Sequence, residues 1–270
     1  MSVDPMSPHR APEPGLDGFE AFDAAPPRPR GRTPSVGFTL YKLFLRTQVT
    51  RTRVISLVSL ALVGILVAWG LGATTRRNPL PRGVDFVNLY GLSLLVPIVV
   101  LVFASSMFGD LRDDNTLVYL WLRPVSRVKL AVAAALASLT VSWPLAVPPL
   151  VIGAALTKAG STLIIATLLS ATVVTVAYTG IFLALGLRVK RPLVWGLLYV
   201  FIWEGFIARG SFTAAKAAIR AYGSSILSDI TGRELVLAEI SLTWSIIVPL
   251  AAGAAGLAYT VRRLHRQDVA

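Results

Sequence analysis

Six apolar runs, at residues 54–71, 86–108, 130–156, 163–187, 193–207 and 240–261, hold one charged side chain among them, Glu204. Nothing constrains the fold of this chain more. Hydrocarbon offers the backbone no water, so every N–H and C=O inside such a run must bond within its own segment, which means a helix. Five runs reach spanning length. The fifth has 15 residues, which at about 1.5 Å each cover roughly 22 Å of a hydrocarbon core about 30 Å thick. It must borrow flanking residues or end inside the membrane. With a mean hydropathy of +0.67, the sequence predicts an all-α integral membrane protein with six transmembrane helices.

The net charge of +12 would suggest nucleic acid in a soluble protein. Here it reads as an orientation signal, because Lys and Arg mark cytoplasmic segments. With both termini inside, cytoplasmic segments hold 18 of the 26 basic residues and the other side eight, although Arg76, Arg77 and Arg82 lie in the first outer loop. A multi-pass plasma-membrane protein with cytoplasmic N- and C-termini is expected, with the lipid bilayer and not nucleic acid as its partner.

Residues 1–34 carry eight prolines, four arginines and five acids with few large aliphatics, too little apolar surface to offset chain entropy. They read as a disordered cytoplasmic tail without the apolar core of a secretory leader, ahead of a membrane domain over 35–270. From 35 to 53 the pattern becomes amphipathic. Phe38, Tyr41, Leu45 and Val49 form one stripe and Lys42, Arg46 and Arg53 a polar side, as in a helix at the cytoplasmic interface.

Between the second and third runs lies a charged island with helical order. Asp110, Asp113 and Asp114 share one face, and Leu117, Leu120 and Trp121 repeat that spacing on another. The acids suit the positive N-terminal end of a short helix, and Pro124 stops it. The island resembles the cytoplasmic coupling segment of permeases of the type-2 ATP-binding-cassette (ABC) exporter family. The matching residues are Gly109, Asp110, Asp113, Asp114, Thr116, Leu117, Tyr119, Leu120, Arg123, Pro124, Val125 and Arg127. Leu111 stands where an acid is usual in that family and Asn115 where an arginine is usual.

The resemblance implies a permease domain over 35–270, with an elbow helix before the first span and a coupling helix on which a separate ATPase docks. It implies two partners, an ABC ATPase subunit and a second permease subunit in a homo- or heterodimer. It also implies short helices after span five that dip back from the external face. This chain lacks a Gly-x4-Gly-Lys-Ser/Thr loop, so ATP and Mg are expected on the partner ATPase and no cofactor here. The two histidines, His9 and His265, are terminal and there is no cysteine, which leaves no familiar zinc set and no embedded imidazole base. The chain is expected to be a transport subunit rather than an enzyme.

A carboxylate inside a span is costly unless paired, protonated or facing water. Glu204 therefore needs a partner, and Arg209, five residues on, is a candidate. Pairing and direct transport chemistry are both open to it. Trp143, Pro144, Pro148 and Pro149 predict a bend in span three. Thr172, Thr175 and Thr179 in span four, and Gly253 and Gly256 in span six, read as packing surfaces. After Gly210 a stripe of Phe212, Ala215, Ile219 and Ile226 predicts an amphipathic surface helix, with Lys216 and Arg220 pointing elsewhere.

Two other classes share these features. One is a membrane assembly factor, or a transducer driven by the same ATPase coupling; the lack of a large external domain disfavours the transducer. The other is a secondary transporter working through Glu204, which a single acid without an inverted repeat disfavours.

Overall fold

The computed structural model describes residues 36–74, 77–113, 126–210, 212–235 and 240–266. Among them every regular element is helical. Helix α1 (Val36–Gln48) precedes α2 (Arg51–Thr74). A long rod follows, made of α3 (Pro79–Phe86), a π-helical stretch (Val87–Leu95) and α4 (Val96–Asp113). Next come α5 (Arg127–Leu156) and α6 (Ser161–Arg188). Then α7 (Pro192–Leu198) runs into a second π-helical stretch (Tyr199–Ile207). After two short helical turns, α8 (Ile219–Thr231) and α9 (Leu242–Arg266) complete the order.

Among the described residues, five helices are long and apolar enough to cross a membrane: α2, the rod at Pro79–Gly109, α5, α6 and α9. The fifth apolar run gives the shorter apolar helix Pro192–Ile207. The local chemistry explains the boundaries. Pro79 and Pro192 open their helices, where a missing N–H costs nothing and a fixed φ fits the first turn. Gly232, at φ 67°, closes α8 in the left-handed conformation, its N–H donating to the Ser228 carbonyl at 2.8 Å. Helix α5 continues through Pro144, Pro148 and Pro149.

Burial sorts the long helices into two layers. In the rod, α5 and α6, 61, 56 and 61% of the most apolar window is buried, against 22% in α2 and in α9, so the last two turn most of their surface outward. Leu66 and Trp69 on α2 and Trp244 on α9 are exposed apolar side chains, suited to hydrocarbon. Helices α6 and α9 meet through glycine. A Cβ on Gly180 would run into the backbone of Gly253, and one on Gly256 would stand 2.7 Å from the Gly180 carbonyl carbon. Small residues let membrane helices approach this closely, as read for Gly253 and Gly256. Of the threonines of α6, one bonds across to another helix. Thr172 accepts from Trp143 Nε1 on α5 at 3.2 Å, while Thr175 and Thr179 donate to carbonyls four residues back.

Two amphipathic readings change. In α1 the buried side chains are Phe44 and Gln48, while Phe38 and, just past the helix, Val49 are exposed. The buried face is turned because α1 packs on α5, where Tyr41 donates to Thr140 Oγ1 at 3.0 Å, and on α4, where Gln48 Nε2 donates to the Phe103 carbonyl at 2.6 Å. Helix α8 is not a surface helix, since every residue from Ile219 to Ser228 is buried. Its second face is Gly223, Ser224, Ser225 and Ser228, small enough to pack inside a bundle.

Candidate functional site: the buried Glu204 cluster

Tyr178 and Phe182 stand one turn apart on α6 and stack with ring centroids 5.1 Å apart, and Phe182 meets the edge of Tyr199 at 6.5 Å. This aromatic set brings the Tyr178 and Tyr199 hydroxyls to one place. Glu204, in the second π stretch, is only 2% exposed there. Its Oε2 accepts from the Tyr178 hydroxyl, and Tyr199 is a further side-chain partner of the same carboxylate. Its Oε1 accepts from the Ile219 N–H at 3.1 Å. That N–H belongs to the first residue of α8, so the acid sits at the positive end of the helix dipole.

Arg220, 3% exposed, adds a cation to the same turn, and its Nη1 lies 3.4 Å from the Glu204 backbone oxygen. The acid is thus solvated by protein. The side chain of Arg209 lies outside those described, so the partners on view are Tyr178, Tyr199, Ile219 and Arg220. Tyr199 lies five residues before the acid on the same stretch, a spacing the sequence offered; Tyr178, Ile219 and Arg220 could not be found by spacing, because they come from α6 and from a helix folded back into the bundle.

Two further polar ties seat α8. The Ser224 hydroxyl is 2.7 Å from Asn88 Oδ1 in the first π stretch. Near the far end, Arg233 pairs with Asp85 of α3 at 3.2 Å, while the Ser228 hydroxyl donates to the Arg233 carbonyl at 2.6 Å. Between the ties the approach is close, since a Cβ on Gly223 would lie 2.7 Å from Val174 Cγ2 and 3.2 Å from Leu92 Cδ1. Asn88 was the available sequence signal, a polar amide inside an otherwise apolar run.

Of the island residues, Asp110 and Asp113 fall in the last turn of α4, and their side chains lie outside those described. Asp114, Thr116, Leu117, Tyr119, Leu120, Arg123 and Pro124 lie outside the described residues altogether. Arg127 opens α5. Among the described residues no group of three or more His, Cys, Asp or Glu side chains is placed to hold a metal ion.

The sequence model described as ABC-2 family transporter protein matches residues 47–212. The chain belongs to that family. Comparison with curated proteins and with solved structures gives no match. The ABC-2 match spans α2 through the Glu204 segment, so α8 and α9 lie beyond it. An ABC-2 chain of this kind is a multi-pass membrane protein and a transport permease, in a family that generally works with an ABC ATPase.

Proposed function

We propose that this chain is the permease subunit of an ABC exporter in the plasma membrane, with both termini cytoplasmic and ATP hydrolysed on a separate subunit that holds ATP and Mg. The family match over 47–212 carries the reading. In it α1 is the elbow helix, Pro192–Ile207 is a sixth crossing, and a second permease subunit, identical or related, faces this one around the path.

Residues 110–127, with Asp110, Asp113, Asp114 and Arg127 among them, are the coupling segment in this reading. Support comes from its place in the chain, between α4 and α5, two of the more buried long helices. A push from closing ATPases would tilt both as rigid rods. The other end of the bundle is filled by α8, packed on α6, α9 and the first π stretch and tied to the second through Glu204, where it serves as the external closure. Glu204 anchors that closure and carries no proton. No covalent chemistry is needed from this chain, only two arrangements of its helices.

Co-expression with the ATPase is expected to co-purify both proteins, and Asp113→Lys with Asp114→Lys to weaken the complex and its transport. ATP hydrolysis by this chain alone, or full ATPase-dependent transport in the double variant, would overturn the reading.

A further inference from the structure

Val87–Leu95 and Tyr199–Ile207 are both nine-residue π-helical stretches. In globular proteins well under 1% of residues are π-helical, and most such turns are bulges inside α-helices, often at functional sites. The wider register shows at their ends. The N–H of Val96 donates to the Gly91 carbonyl and that of Ala208 to the Trp203 carbonyl, each five residues back. Inside the first stretch the Ser93 hydroxyl donates to the Asn88 carbonyl, again five back, at 2.7 Å. In the α-helical body of α6, Thr167, Thr175 and Thr179 donate four back.

The two stretches share a second property. Each carries a side chain that seats α8, Asn88 through Ser224 in one and Glu204 through the Ile219 N–H in the other. A π turn winds less per residue than an α turn. Converting either stretch to α therefore rotates its side chains about the helix axis relative to the flanks. Packed helices respond to such a change by switching between discrete arrangements.

We infer that the two π stretches are paired register hinges, whose conversion to α-helix turns Asn88 and Glu204 away from α8 and releases that helix. The use of the motion, opening a path, rests on the permease reading; the hinge itself rests on the backbone register and the two ties.

The chain has no cysteine, so Asn88→Cys with Ser224→Cys offers a single disulfide. In membranes holding the full chain and its ATPase, a mild oxidant is expected to form this cross-link without nucleotide, and ATP to slow it by about five-fold or more. Absence of the cross-link, or a rate that ATP leaves unchanged in a complex that hydrolyses ATP, overturns the hinge. If no such complex hydrolyses ATP, the permease reading is what fails, and the chain alone then decides the hinge. Removing Leu94 shortens the first π stretch toward α register. It is expected to leave the melting temperature within a few degrees of the parent and to slow the cross-link by about five-fold or more, whereas removing Val99 from α4 disrupts folding. A Leu94 deletion that fails to fold as the Val99 deletion does, or that cross-links at the parent rate, overturns the hinge.

Discussion

Glu204 keeps two kinds of donor satisfied, a tyrosine hydroxyl and the first N–H of α8. Glu204→Ala removes the acceptor from both, and each buried group left without a partner costs about 1–3 kcal/mol. Glu204→Gln retains one carbonyl oxygen and the side-chain shape, so it is expected to melt well above the alanine variant, with Tyr178→Phe also milder than alanine. Thermal denaturation of the three purified variants checks the order. A glutamine variant that is stable and assembled with its ATPase yet transports nothing would instead assign the carboxyl a direct part in transport. The need for a partner was legible in the sequence because one charge stands out in six apolar runs. Most of the partners were not, since spacing rules pair residues within one helix: they reach Tyr199 on the acid's own stretch but not Tyr178, 26 positions before it, or Ile219, 15 after it.

At the scale of elements, hydropathy revealed the long helices because their apolar character extends over whole spans. It missed the placement of α8 because serine and glycine score as polar or neutral yet pack well against other helices in a membrane. The same preference for small residues governs the α6–α9 seam. Gly253 and Gly256 were readable as a packing surface, but Gly180, their opposite number, was one glycine in a long apolar run. A leucine at Gly180 must displace the Gly253 backbone, and overpacking of this kind costs about 1–3 kcal/mol. Gly180→Leu is therefore expected to lower the melting temperature clearly, while Gly70→Leu, where nothing lies within 4 Å of the added carbon, is expected to leave it near the parent value. Equal melting of the two variants would remove the seam from the account.

For the whole molecule, the direction of the chain can be followed through a few contacts. Gly109, near the end of α4, lies beside Pro192, 3.1 Å from where its Cβ would stand. Asn88, 21 residues earlier on the same rod, touches Ser224, and at about 1.5 Å per residue the two levels differ by roughly 30 Å, a full hydrocarbon thickness. Between Pro192 and Ser224 the chain thus passes from one level to the other, although Pro192–Ile207 is too short to do so as a straight helix alone. Leu264 near the end of α9 then clusters with Phe44, Phe108 and Leu130, back at the level of Gly109. Six crossings belong to the proposed reading, and in it the basic residues choose the side: Arg188, Lys190 and Arg191 gather near Pro192, and Arg262, Arg263 and Arg266 end α9. We predict that single cysteines at Ser126 and Lys190 resist an impermeant thiol reagent in intact cells, while those at Thr74 and Lys158 react. All four positions are exposed, so burial does not shield them, whereas Ser228 is buried and would make a poor reporter. Labelling at Thr74 and Lys158 but also at Lys190 would mean that the fourth crossing fails, and labelling at Ser126 and Lys190 alone would invert the chain and place the 110–127 segment out of reach of any cytoplasmic ATPase.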